Sequence, residues 1–552
     1  MKQDLLRPDN RASIRGKRPP ARKRSTVRPA PDTRREQIAM TADWTNITDA
    51  VFHHAGTRPD AVALVEGPTW LTFSELAELI AKATVYLRQQ GIKAGARVGV
   101  RMTNSADHII LSLALLRLGA TKFELSPNAE AGELEAITRK FSLHTLFIEP
   151  PMKLYRGARC LPIDLSWRPS LLALDGDARH DEAVEPFYVA LTSGSTGVPK
   201  AIPVSHRQMI GRFGDQASAY AHTGMISLDR PGNFMLTGSM AFTGCHNFML
   251  TQLMAGACIV VLPEFGRFYD IVRYLNHYDD AVTILTPGMC DALLACAPKA
   301  GVLLPRMRFM TVGGQSTPPD IKKAMIARVT PNFHDLYGCS GAGVIALQQP
   351  SEMPRRGESV GKPIPGVEVE IVDAAGKVLP ANRIGHLRCR GDFVSTNFLL
   401  AEDAGADTGE GFRGGWHYPG DLASQDGSGF LFIRGRTSDI IQRNGVEIYP
   451  AEIEAAIASH PSVKEAAVVG LPARRGGHDV IAIVVPKTQP NHDEIAQHCE
   501  NKLTPEKRPG AIAYMEALPR TANGKVNRVR VRELAQIALQ RAQAMRKPTG
   551  RA

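Results

Sequence analysis

The stretch from Leu71 to Arg101, LTFSELAELIAKATVYLRQQGIKAGARVGVR, decides the fold class because its periodicity changes partway along. Leu76, Leu79, Ile80, Ala83 and Leu87 recur at helical spacing, so one face of a helix is apolar. Thr72 and Glu75 stand three apart, as a capping box requires, and Gly91 supplies a stop. Arg97 to Arg101 (RVGVR) then reads as a short strand. A second apolar helix over His108 to Leu118, Gly119 and another extended run come next. Helix and strand alternating at this interval predict a largely parallel α/β architecture.

The alternation returns at Ala257–Pro263, Ala281–Thr286 and Met307–Val312. Beyond about Gly361 it gives way to short, glycine-punctuated extended pieces such as Val367–Val372 and Arg383–Arg390. A smaller unit begins near Arg436, with strands over Ala466–Val469 and Val480–Val485 and helices over Pro450–Ser459 and Asp493–Lys502. The expected organisation is a large N-terminal domain, residues 41–436, of α/β subdomains plus a β-rich piece. A small α+β C-terminal domain, 437–540, and a basic C-terminal tail, 541–552, complete it.

A chain of 552 residues is too long for one ordinary core. It has no run near the roughly 18 apolar residues that a membrane helix needs, and its arginine-rich start lacks an apolar signal segment, so a cytoplasmic protein without a membrane span is expected. Its eight cysteines are scattered without zinc-site spacing and read as small reduced apolar residues. The net charge is +11, but residues 1–40 alone hold 12 Lys/Arg against 4 Asp/Glu. The remainder is close to neutral, which excludes an electrostatic footprint for specific nucleic-acid binding. The basic tail, 1–40, is expected to be disordered. It reads either as a polyanion-binding arm or as an extension ahead of the folded domain that Met40 opens.

The chemistry is concentrated in glycine-rich segments. Leu191 to Lys200 (LTSGSTGVPK) comes after an apolar run and stands before an expected helix. Its glycines let several N–H groups converge on one anion, Ser193, Ser195 and Thr196 add hydroxyls, and Lys200 adds a charge. By itself it reads equally as a slack loop, and Pro199 departs from the Walker A pattern. Further on come Gly313-Gly314-Gln315 after a strand, His334 to Gly341 (HDLYGCSG), Tyr418-Pro-Gly-Asp421, Gly435-Arg436-Thr-Ser-Asp439, and Pro519-Arg-Thr-Ala-Asn-Gly-Lys525-Val-Asn-Arg528.

In this order, over about residues 45–535, the chain resembles the acyl-adenylate-forming superfamily, which includes acyl-CoA synthetases, beetle luciferases and peptide-synthetase adenylation domains. The resemblance implies ATP, Mg²⁺ and CoA, or a carrier protein's phosphopantetheine, as cofactors. It places the ATP phosphates on Thr192, Ser193, Gly194, Ser195, Thr196, Gly197 and Lys200. The adenine falls to Gly313, Gly314, Gln315, Asp335, Leu336, Tyr337, Gly338 and Ser340, and the ribose to Asp421 and Arg436. Lys525 becomes the catalytic lysine, which stabilises the transition state as a carboxylate and a phosphate meet. Ser438 and Asp439 become the hinge on which the small, mobile domain turns between half-reactions.

Three departures qualify this. Gly341 stands where the family places a Glu beside Mg²⁺, so no metal ligand is assigned, and Thr196 is the one candidate. In the segment Thr237 to Phe248, Ala241 replaces a common histidine, leaving Phe242, Gly244 and His246 as acyl-pocket residues, with His246 equally an ordinary packed histidine. That segment also lacks an aspartate for an ammonium group, which disfavours an α-amino acid. Gln442 replaces a lysine common after the hinge.

The expected activity is an acyl-CoA synthetase acting on a small-molecule carboxylic acid. The alternatives are an adenylating enzyme that passes its acyl group to a separate acyl carrier protein or an amine, and a nucleotide-binding homologue with impaired catalysis.

Overall fold

The structure is a computed structural model that describes residues 41, 43–150, 157–177, 187–192, 200–220, 223–262, 268–399, 411–443, 446–473, 477–489, 491–520 and 526–546. The N-terminal tail, residues 193–199 of the glycine-rich loop and Lys525 lie outside them.

The Leu71–Arg101 stretch folds as its pattern dictates. The helix Phe73–Gln89 is capped by Thr72: the Glu75 N–H donates to Thr72 Oγ1 (3.2 Å) and the Thr72 N–H donates to Glu75 Oε2 (2.7 Å). The helix Ala106–Leu118 is buried almost all round and ends at Gly119. These two helices pack on each other and contribute to the largest apolar cluster, which also takes in Val98, Leu64 and Phe234 from two sheets.

The first sheet runs Arg159–Pro162, Thr145–Ile148, Arg97–Arg101, Thr121–Glu124, Tyr188–Thr192, Lys200–Val204. Its strands are parallel except the last, an edge strand antiparallel to Tyr188–Thr192. This corrects one expectation. A strand, not a helix, stands directly after the glycine-rich loop, and the helix starts only at His206. The sequence KAIPV explains it: β-branched residues favour extended backbone, and Pro203 is tolerated on a sheet edge but not inside a helix. The loop therefore joins two hairpin strands, with no helix N-terminus directly after it.

The second sheet has nine strands, in the order Lys362–Pro363, Gly343–Gln348, Phe333–Cys339, Met307–Val312, Ala281–Leu285, Asn233–Leu236, Cys258–Val261, Val62–Glu66, Thr69–Thr72. Its centre is parallel and its margins antiparallel. Central strands such as Ala281–Leu285 are buried on both faces, which is why they read as unbroken apolar runs. A third, antiparallel sheet (Glu368–Val372, Gly385–Arg390, Phe412–Arg413, Trp416–His417, Asp421–Gln425, Leu431–Arg436) is the β-rich piece. The C-terminal part packs the helices Pro450–Ala458, His492–Lys502 and Arg528–Arg546 on the sheet Val463–Pro472, His478–Pro486, Ala511–Tyr514. Among the described residues no helix is long and apolar enough to cross a membrane.

Candidate active site

The segment HDLYGCSG forms the strand Phe333–Cys339 and the turn after it. Its side chains alternate in direction, which sets Leu336 on one face and Asp335 and Tyr337 on the other. Asp335 is buried and ion-paired with Lys322, whose Nζ also donates to the Gln348 side chain (3.0 Å) and the Ser359 carbonyl (2.7 Å). Burial lifts its pKa to about 6, with Lys322 pulling the other way. The Asp335 carboxylate thus secures the strand from inside. Leu336 lies against Gly313, where an added Cβ would meet Leu336 Cδ2 at 3.4 Å. Gly314 has φ +87°, a left-handed turn at the carboxyl end of the strand Met307–Val312 that a side chain would strain. Gln315 comes next, partly exposed. Gly338 is required by packing, because a Cβ there would strike the Gly343 carbonyl.

Tyr337, two residues on and on the same face of the strand as Asp335, joins two sheets. Its O–H donates to Asp421 Oδ2 at 2.6 Å, and the other oxygen of Asp421 pairs with Arg436 Nε at 3.0 Å. Burial, then the Asp421 charge, raises the phenol well above its ordinary value, so it stays a donor. Asp421 in turn raises the guanidinium of Arg436. Three residues from separate segments therefore form one aromatic, carboxylate and guanidinium cluster that joins the second sheet to the third. Such a cluster can stack a base and hold a pair of hydroxyls.

That is the observation which decides the family. The chain belongs to the AMP-binding enzyme family. It matches that family over residues 51–399 and the AMP-binding enzyme C-terminal domain over residues 452–525. It is 26% identical over 488 residues to a 2-succinylbenzoate–CoA ligase of Bacillus mycoides (strain KBAB4), covering 88% of this chain and 98% of that one. It is 28% identical over 507 residues to a 4-chlorobenzoate–CoA ligase of an Arthrobacter species, covering 88% and 94%. Among solved structures it is similar to the o-succinylbenzoate CoA synthetase of Bacillus subtilis in complex with its acyl-adenylate, at TM-score 0.76 and 21% identity, covering 87% and 97%.

Other expected residues of this AMP-binding enzyme fall into place unevenly. Thr192 and Lys200 pair across the hairpin, and the Lys200 ammonium stands 5.1 Å from the Phe398 ring centroid. Ser193, Gly194, Ser195, Thr196 and Gly197 lie outside the described residues. The Ser340 hydroxyl is 3.5 Å from Thr243 Oγ1, and Thr243 also bonds the Tyr188 hydroxyl. Phe242 precedes the helix Thr243–Met254, and a Cβ on Gly244 would meet the Phe242 ring at 2.8 Å. His246 is fully buried: Nε2 faces Lys122 Nζ at 2.9 Å, and its ring lies 4.4 Å from Tyr188. Burial, reinforced by the Lys122 charge, keeps this imidazole neutral, so it packs under the segment and does not line open space.

Lys122 belongs to a buried cluster with Glu124 (2.5 Å) and His108, whose Nε2 is 3.1 Å from Glu124. Burial pushes Glu124 up, but Lys122 and the histidines outweigh it and hold the carboxyl below its usual range. Thr243, Tyr188 and Lys122 carry no signal in the sequence, because no motif spacing marks them. Only the crossing of the helix Thr243–Met254 over the first sheet brings them together.

The resemblance implies magnesium, and the donor set tests it. Gly341 offers no side-chain oxygen, and the space its side chain would take is filled: a Cβ there would stand 2.8 Å from His417 Nε2. His417 Nδ1–H donates to the Gly411 carbonyl (3.0 Å), and burial lowers its pKa to about 4. Among the described residues no three His, Cys, Asp or Glu side chains are grouped to hold a metal. The residues at this turn do not fit a protein-held magnesium ion.

The segment after Arg436 divides cleanly. The Thr437 N–H donates to the Gly420 carbonyl (2.8 Å), and Thr437 Oγ1 is 3.4 Å from His386 Nδ1, so Thr437 belongs to the β-rich piece. Asp439 pairs with Arg528 Nε (3.2 Å), and Arg528 also binds Glu454 (2.8 Å) and the Val468 carbonyl (3.0 Å), so Asp439 belongs to the C-terminal part. Exposed Ser438 stands between them.

Proposed function

We propose that this chain is an AMP-forming acid–thiol ligase acting on an aryl or arylalkyl carboxylic acid, with ATP, Mg²⁺ and CoA as its cofactors. A carboxylate oxygen attacks the α-phosphorus of ATP, the bond to the β-phosphate oxygen breaks, and pyrophosphate leaves. The CoA sulfur then attacks the acyl carbon of the adenylate, and AMP leaves with the bonding electron pair. The observation that carries this reading is the Tyr337–Asp421–Arg436 cluster, which supplies a ring face for adenine and a carboxylate for the ribose hydroxyls. Magnesium, when bound with ATP, would supply charge screening for the phosphates. The chain's own part is to hold the nucleotide, orient the acid near Phe242 and Gly244, and bring in Lys525.

The substrate class is drawn from relatives named for 2-succinylbenzoate, 4-chlorobenzoate and indoleacetate. The deciding experiment measures pyrophosphate release over a panel of aryl, fatty and amino acids, with and without CoA. Aryl acids are expected to give the strongest release and to form a CoA thioester. Lys525→Ala is expected to slow the adenylation step by roughly a hundredfold or more, as removal of a transition-state charge does. Release without thioester would point to a carrier protein or an amine as acceptor. No acid-dependent release across the panel would leave a nucleotide-binding protein with impaired catalysis.

A further inference from the structure

The helix His206–Tyr220 carries Arg212 in its second turn, and this side chain differs from Arg436 and Arg528, both of which face carboxylates. Arg212 is 5% exposed. Nη2 donates to the Gly341 carbonyl (2.7 Å) and Nε to the Phe393 carbonyl (2.9 Å), while Nη1 has no partner among the described residues. The ionisable groups that act on it most are Cys339, Cys389 and Tyr188, all neutral at pH 7, and burial lowers its pKa only to about 10. Arg212 is thus a buried cation with no carboxylate bonded to it among the described residues, an arrangement that is costly unless an anion completes it.

The surroundings of the Ser340–Gly341 turn say which anion fits. The hydroxyl of Ser340 meets that of Thr243, which bonds the Tyr188 hydroxyl, and the neutral imidazole of His417 lies against Gly341. Hydroxyl donors, a neutral ring and a fixed positive charge suit the oxyanion of a phosphate. Away from bulk water the charge acts on that oxyanion across the turn without needing to touch it.

We propose that Arg212 is a positioning residue for the phosphates of ATP at the Ser340–Gly341 turn, supplying part of the charge neutralisation that magnesium otherwise gives the nucleotide. This rests on reading the Tyr337–Asp421–Arg436 cluster as the nucleotide site. It adds that nucleotide binding here depends on magnesium less than the bare charge of ATP would demand.

The test is calorimetric ATP binding to the full chain, without acid or CoA, in excess Mg²⁺ and in excess EDTA, for the wild type, Arg212→Met and Arg212→Lys. Both variants lose the fork that holds the two carbonyls, but only the methionine loses the charge. Arg212→Met is expected to weaken binding in EDTA by about tenfold or more and to weaken it far less in Mg²⁺, with Arg212→Lys close to the wild type in both. Equal weakening with and without the metal, or identical behaviour of the two variants, would overturn the proposal. So would a loss seen with benzoate alone and not with ATP. The readout is separate from turnover: absent pyrophosphate release with this metal-dependent split intact would count against the ligase reaction and not against Arg212.

Discussion

Residue by residue, burial changes what a side chain can do in ways that spacing does not announce. His417 sits in a segment whose sequence draws attention only to Asp421, yet its ring fills the space beside Gly341. Its pKa falls from 6.5 to about 4, chiefly through burial. Between those values the unfolded chain binds a proton that the native state refuses, so stability is full above about pH 6.5 and is lost as the pH falls toward 4. For this 4% exposed ring the difference is worth up to ~3 kcal/mol. His54 is lowered to about 4 for the same main reason and contributes in the same direction. Urea titrations at pH 7 and pH 5 should therefore show a His417→Gln variant that loses less stability on acidification than the wild type does. Parallel losses would show that His417 does not titrate in this window. Asp335 and His246 teach the same lesson. Both stand in segments that suggest ligand contact, and both turn inward to buried lysines, Lys322 and Lys122.

Among elements, those written by local physics were legible. The helix Phe73–Gln89 announces itself through its apolar stripe and through Thr72 and Glu75, and both capping bonds are present. Thr72→Ala is expected to destabilise the protein by about 1 kcal/mol, seen as a lower urea midpoint without loss of ATP binding. An unchanged midpoint would mean that solvent replaces the cap at no cost. The strand Met307–Val312 was equally plain, as an apolar run ahead of Gly313 and Gly314. The strand Lys200–Val204 was not, because a glycine-rich loop after a strand suggests a helix next. Its extended form is fixed by pairing with Tyr188–Thr192, whose residues lie on the other side of that loop.

For the whole molecule, the question is how one site serves two reactions. Thr437 is bonded to the β-rich piece and Asp439 to the C-terminal part, with exposed Ser438 between them, which is the arrangement expected of a hinge. Ser438→Pro restricts φ at that point and should lower thioester formation about tenfold relative to adenylation, measured as separate half-reactions. Equal losses in both, or none in either, would remove Ser438 from the hinge role. By itself the sequence determined the α/β class, the order of the nucleotide-binding segments and the family, because periodicity, caps and glycine-rich turns are local and act over a few residues. Only the tertiary structure decided that Tyr337, Asp421 and Arg436 form one cluster, that Asp335 and His246 serve the interior, and that Arg212 is buried against the Gly341 carbonyl with one nitrogen unpartnered among the described residues. Those facts depend on which distant segments exclude water together, and burial, unlike spacing, is a property of the folded whole.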